Sequence, residues 1–188
     1  MATSFGPSAL ATPANAVTIA RLVCAPALWL IIVASGPSYG VTALWVALAS
    51  TDGLDGYLAR RHGTTRSGAF LDPLADKALV LGAMWALVAA DGFWSVPVAL
   101  ITVRELAISA FRSYWGRRGF AVPATFWAKV KTVVQSLAVG LALLPPVADG
   151  NGWLASGALW VAVGLTLVTG VQYLAEGSRA TAAGGVRA

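Results

Sequence analysis

Charge is scarce in this 188-residue chain: Asp, Glu, Lys and Arg together make up 11% of it. A soluble domain of that length carries about 25%, so the composition excludes an ordinary soluble globular class. Cysteine is reduced to a single residue, Cys24, which excludes an intramolecular disulfide. In its apolar run it reads as a small packing residue. Histidine is also single. His62 sits in a polar break and reads as a solvated loop residue rather than a base. The opening MATSFGPSALATP has no basic stretch followed by an apolar run of the usual length, so no cleavable signal peptide is expected. No internal repeat and no second domain is visible.

Apolar residues fill the space that charge leaves. They make up 57% of the chain, and the mean hydropathy is +0.72. They come in long runs separated by short Gly, Pro, Ser, Asn and charge clusters, the punctuation of loops. The pattern predicts an all-α polytopic membrane protein, a single domain over 1–188. Six transmembrane spans are expected, at roughly 16–35, 41–60, 72–90, 93–113, 124–145 and 153–175. The breaks are SGPSYG (35–40), RRHGTTRSG (60–68), ADGFW (90–94), WGRRGFAVP (115–123) and PPVADGNG (145–152), and a flexible tail follows over 177–188.

The basic residues orient the spans. The breaks at 35–40, 90–94 and 145–152 hold no Lys or Arg, whereas Arg60, Arg61, Arg66, Arg117, Arg118, Arg179 and Arg187 all fall on the other side. That side, with the N-terminus, is expected to be the cytoplasmic face of the cell membrane. The net charge of +5 is then read as contact with anionic lipid, not with nucleic acid. Trp45, Trp85, Trp94, Trp115, Trp127, Trp153 and Trp160 mostly fall near span ends and read as interfacial anchors.

Against this background one window stands out. Of eight acidic residues, four lie between Thr51 and Val80: Asp52, Asp55, Asp72 and Asp76. Acids in or beside spans are costly, and they mark functional sites by default. Asp52 and Asp55 are i and i+3, and Asp72 and Asp76 are i and i+4, so each pair shares one helix face. A short basic loop makes spans 2 and 3 antiparallel neighbours, which brings the four carboxylates to one depth. They repel one another unless cations intervene. With no His or thiolate in the set, the ion is a hard one: Mg²⁺, Mn²⁺ or Ca²⁺. Two such ions suit in-line displacement at a phosphoryl group. Gly56 and Ala59, on the same stripe, leave room for a ligand. Gly68, one turn before Asp72, does the same or lets helices approach.

The run DGLDGYLAR, seven residues, then GAFLDPLAD resembles the signature of the CDP-alcohol phosphotransferases, D-x2-D-G-x2-A-R followed by G-x3-D-x3-D. Asp52, Asp55, Gly56, Ala59, Arg60, Gly68, Asp72 and Asp76 fill every signature position. The spacer is one residue shorter than the usual eight, a difference that falls in the loop. The resemblance implies a six-helix membrane enzyme that moves the phosphatidyl group of a CDP-linked lipid to an alcohol and releases CMP. It implies that Asp52, Asp55, Asp72 and Asp76 hold two divalent cations, Mg²⁺ or Mn²⁺. It gives Asp76 the further role of general base. It places Gly56, Ala59 and Arg60 at the CDP-lipid together with Gly68, and adds Asn15, Thr18 and Arg21 at the start of span 1. No redox cofactor is implied, and a homodimer is.

PANAVTIARL (13–22), VRELAISAFR (103–112) and FWAKVKTVVQ (126–135) are similar to the branch of that family that makes phosphatidylglycerophosphate from CDP-diacylglycerol and sn-glycerol 3-phosphate. A phosphorylated acceptor needs cations near the metals, and Arg112, Lys129 and Lys131 are the candidates. Their bland role is positive-inside charge reaching the headgroups. Arg104 and Glu105 lie well inside span 4. As helix neighbours they are expected to seek separate partners, Arg104 the acidic cluster and Glu105 a base on another span. Lys77 is expected to reach the headgroups or pair locally. Other acceptors of the same family, as in a cardiolipin synthase or an inositol-phosphate transferase, are the near alternative. A divalent-cation transporter is a distant one, since such proteins carry repeats and a midplane site. An inactive scaffold is disfavoured by the intact signature.

Overall fold

A computed structural model of the chain describes residues 13–62, 66–117 and 126–184; at 13–15, 52–62, 66–73, 112, 114–117, 128 and 174–184 it describes the backbone alone. Every regular element among the described residues is an α-helix. They are α1 (Pro13–Ser35), α2 (Tyr39–His62), α3 (Arg66–Ala89), α4 (Ser95–Arg117), α5 (Phe126–Leu143), the single turn α6 (Pro145–Ala148) and α7 (Gly152–Gly184). The shortest of the six long helices has 18 residues. At 1.5 Å per residue it is about 27 Å long, close to the hydrocarbon thickness of a bilayer.

The turns sit where the sequence puts its breakers. Gly36, in the left-handed conformation with φ of 65°, ends α1 and donates its N–H to the carbonyl of Ile32. Asp91 takes the same conformation, with φ of 56°, between α3 and α4, and Gly92 beside it donates to the carbonyl of Leu87. Ser38 accepts a hydrogen bond from the N–H of Val41 at the start of α2.

Cross-helix hydrogen bonds fix the directions. From Thr42 to Trp45, α2 meets Leu143 and then Ser136 on α5, one helix rising in number as the other falls. Gln135 on α5 donates to Thr166 on α7. Arg21 on α1 donates to Thr51 on α2. Consecutive long helices therefore alternate in direction, and α1 packs chiefly on α3 and α2, α5 on α7, and α4 on α7 and α3. The core is aliphatic, with Leu28, Ile32, Leu79, Met84, Leu87, Ile101, Val139, Leu143 and Leu159 at its centre.

The outside is apolar as well. Val23 and Leu30 on α1, Val46 on α2, Val103 and Leu106 on α4, Val133 and Leu137 on α5, and Val161 and Val171 on α7 are exposed. Exposed aliphatic faces this extensive belong against lipid tails, not water. Among the described residues, two segments are apolar enough throughout to cross a membrane by hydropathy, Ala16–Ser35 and Gly152–Tyr173. Among the described residues α2 offers a shorter apolar stretch, Tyr39–Thr51.

Several expectations are corrected here. α2 and α3 run on into the predicted break, so His62 ends a helix instead of lying in a loop, and Gly68 is helical. The tail expected to be flexible from 177 continues α7 to Gly184. Its alanines favour the helix once a long span has nucleated it. Cys24 is exposed rather than packed. Trp94, Trp127, Trp153 and Trp160 are exposed and fit the interfacial reading, but Trp45 is buried and donates its indole N–H to Ser136.

The sequence reading left out Trp29, which decides how closely α1 and α3 approach. A Cβ at Gly82 would overlap the Trp29 indole ring. Gly82→Ala is therefore expected to lower the thermal unfolding midpoint in detergent, with a cost of about 1–3 kcal/mol from overpacking. An unchanged midpoint would show that the ring swings aside freely.

Candidate active site

The acidic window falls on the end of α2 and the start of α3. Both helices are unbroken there, so the spacing places Asp52 with Asp55, and Asp72 with Asp76, on common helix faces. Three residues separate α2 from α3, so the two helix ends lie within about 14 Å of each other. The side chains of Asp52, Asp55, Gly56, Ala59, Arg60, Gly68 and Asp72 lie outside the described residues, as do those of Asn15 and Arg112. Among the described residues there is no cluster of three metal-ligating side chains.

Asp76 is described and half-buried. It stands on the wall of a cavity of about 390 Å³ between α2, α3 and α5. Ala49 and Ser50 of α2, Leu79 and Val80 of α3, and Thr132 and Ser136 of α5 line it, so its surface is apolar with a few hydroxyls.

Arg21 is 1% exposed, and its Nε lies 3.1 Å from Thr51 Oγ1, one residue before Asp52. Thr18, one turn earlier on α1, is equally buried. The fold thus brings two of the three residues expected from span 1 to the level of the acidic window.

Glu105 is buried on α4, and three cations surround it. Lys131 Nζ, from α5, hydrogen-bonds its Oε1. Arg104 Nη1 donates to the same oxygen at 2.9 Å. Lys77 Nζ, from α3, lies 3.7 Å from Oε2. Arg104 also donates to Thr169 Oγ1 on α7 at 2.7 Å, and its guanidinium lies 5.8 Å from the centre of the Tyr173 ring. Gly170 lets the arginine lie close: a Cβ there would stand 3.2 Å from its Nε.

The expectation that Glu105 pairs with a base on another span holds. The expectation that Arg104 and Glu105 could not meet does not, because both side chains are long enough to reach each other around the helix. Arg104 turns to α7 rather than to the aspartates, and Lys77 reaches across to α4 instead of pairing locally. Lys129 and Lys131 are two residues apart and so point in different directions: Lys131 is buried at Glu105, and Lys129 is exposed. No spacing rule marks Lys77 and Glu105 as a pair. The available signal was the cost of a carboxylate inside a span.

Thr169→Val is expected to destabilise the fold by about 1–3 kcal/mol, because a buried guanidinium loses an acceptor. Thermal unfolding in detergent checks this, and Thr169→Ser, which keeps the hydroxyl, should recover most of the loss.

The profile of a family described as CDP-alcohol phosphatidyltransferase matches residues 11–168. A probable phosphatidylglycerophosphate synthase of Mycobacterium tuberculosis (strain ATCC 25618 / H37Rv) is 38% identical over 192 residues, spanning 97% of this chain and 88% of the relative. A CDP-diacylglycerol--glycerol-3-phosphate 3-phosphatidyltransferase of Pseudomonas fluorescens is 38% identical over 170 residues, spanning 85% of this chain and 87% of the relative. A relative of the same name from Rickettsia felis (strain ATCC VR-1525 / URRWXCal2) is 34% identical over 165 residues, spanning 85% and 91%.

Proposed function

The chain belongs to the CDP-alcohol phosphatidyltransferase family, and from that premise we propose that it transfers the phosphatidyl group of CDP-diacylglycerol to sn-glycerol 3-phosphate. The products are phosphatidylglycerophosphate and CMP, and the reaction is a step of phospholipid biosynthesis. The names of the relatives support this choice of donor and acceptor.

One observation of the structure carries the reading: a carboxylate, Asp76, stands on the wall of an otherwise largely apolar cavity. A lipid with acyl chains and a pyrophosphate headgroup has the same two-part chemistry. The four aspartates offer only oxygen donors, a set that fits Mg²⁺ or Mn²⁺, and in this reading Asp52, Asp55, Asp72 and Asp76 hold two such ions. Bound there, the ions would offset charge on the donor pyrophosphate and ease the departure of CMP.

The chain's own residues do the rest. Asp76 takes the proton from the acceptor hydroxyl. That oxygen forms a new bond to the phosphatidyl phosphorus as the bond from phosphorus to the CMP oxygen breaks. Gly56, Ala59 and Gly68 leave room for the donor nucleotide, and Arg60 pairs with its phosphates. Asn15, Thr18 and Arg21 complete the donor side, with Arg21 held against Thr51. Arg112 and Lys131 meet the acceptor phosphate, while the exposed Lys129 meets anionic headgroups. Six membrane spans, a site open to the cytoplasm and a homodimer complete the reading. The alternating helix directions and the one-sided arginines support the first two.

CMP release from the purified chain in detergent, with CDP-diacylglycerol and Mg²⁺ or Mn²⁺, tests it. Glycerol 3-phosphate is expected to support turnover, and inositol phosphate, serine and phosphatidylglycerol are not. Asp76→Asn is expected to lower kcat at least about 10²-fold. Turnover with a different acceptor overturns the acceptor assignment and leaves the donor site standing. Ala49→Phe, which fills the cavity, is expected to raise the KM for a long-chain donor and leave that for the acceptor unchanged.

A further inference from the structure

Buried ion pairs are weak devices for stability, since well-packed aliphatic side chains often do as well or better. The bundle nevertheless keeps four charged groups around one point, from α3, α4 and α5. Lys131 is 4% exposed and Glu105 is 6% exposed. Arg104, Lys77 and Lys131 all meet the single carboxylate of Glu105. Three cations against one anion leave two positive charges in excess.

The chain has few anions to offset that excess. Asp91 and Asp149 are exposed in turns at the opposite end of the bundle. Glu176 lies two helical turns past Thr169 on α7. The four remaining acids form the metal window, and one of them, Asp76, directly precedes Lys77. An excess of two charges beside that window is the complement of a phosphate monoester, which carries a charge of about −2.

We propose that Glu105 is the positioning residue of the acceptor site. Its carboxylate gathers Lys131, Lys77 and Arg104 into one cluster with the charge of a dianion's counterpart. The count of one carboxylate matters. Without it the three cations repel one another and Lys131 loses its hydrogen-bond partner; with a second, the excess would fall to one positive charge and match a dianion less well. Arg104 anchors the cluster to α7 through Thr169. Lys77 ties it to the helix that carries Asp76, so the cations and the base are held in one frame. Glu105 itself repels phosphate and acts only through the cations it orients.

This inference rests on the acceptor reading above, and steady-state kinetics of the full chain in detergent test it separately. In Glu105→Gln the KM for glycerol 3-phosphate is expected to rise about tenfold, the loss of roughly one charge-assisted hydrogen bond. The KM for CDP-diacylglycerol should stay put, and most of the effect should appear in KM rather than kcat. Glu105→Asp keeps the charge one methylene farther back and should show a smaller rise; it decides alone if the Gln variant does not fold. A purely structural Glu105 would lower the yield or the melting point of folded enzyme with an unchanged acceptor KM, and that result overturns the proposal. So does a lowered KM, which would mark Glu105 as a competitor of the phosphate. Wild-type turnover with neutral acceptors alone would instead sink the acceptor reading itself.

Discussion

A carboxylate inside an apolar bundle has to be met by cations, and Glu105 is met by three of them from three helices. That single requirement sets the level of α3 against α4 and of α4 against α5. Through Arg104 and Thr169 it also fixes α7. None of these contacts tolerates a slide of one helical turn, because a displaced ion in this setting finds no water to replace its partner. The acid end of the bundle is thus locked by charge, while the opposite end is held by close packing around Leu28, Ile32, Leu87 and Leu143.

The division has a chemical consequence. At the packed end, hydrogen bonds such as Thr42 to the Leu143 carbonyl and Trp45 to the Ser136 carbonyl satisfy single donors. At the charged end Lys77 follows Asp76 on α3 and Lys131 precedes Thr132 on α5, and both Asp76 and Thr132 line the cavity. A reaction that separates a nucleotide from a lipid phosphate needs both environments within a few ångströms. On α3 and α5 the fold sets ionic residues, Asp76, Lys77 and Lys131, next to aliphatic ones, Leu79, Val80 and Val133.

How far could the residues be read before the fold was seen? The acidic window was plain, because four carboxylates in so apolar a chain can have few explanations and their i+3 and i+4 spacing survives in any helix. The helices were plain for the same reason: apolar runs of bilayer length end at Gly, Pro and Asn. Their ends were less so. Continuation of α2 to His62 and of α3 from Arg66 depends on backbone hydrogen bonding, which polar residues join as readily as apolar ones. Trp45 shows the limit of composition. A tryptophan near a span end looks like an interfacial anchor, yet this one turns inward to a carbonyl of α5.

Composition and spacing by themselves determined the class of the protein, the run of its helices, the segments in which its arginines collect, and the four carboxylates whose chemistry suits a hard cation. These follow from local rules: hydropathy, helix periodicity and ligand chemistry act within a few residues of each other. Only the tertiary structure decided which cations stand inside, that Lys131 turns to Glu105 while Lys129 turns out, that Arg104 reaches α7, and that Trp29 lies against Gly82. Each of these joins residues far apart in the chain. The choice between an inward and an outward lysine is made by the helix packed against it, and no pattern in the lysine's own segment records which helix that is.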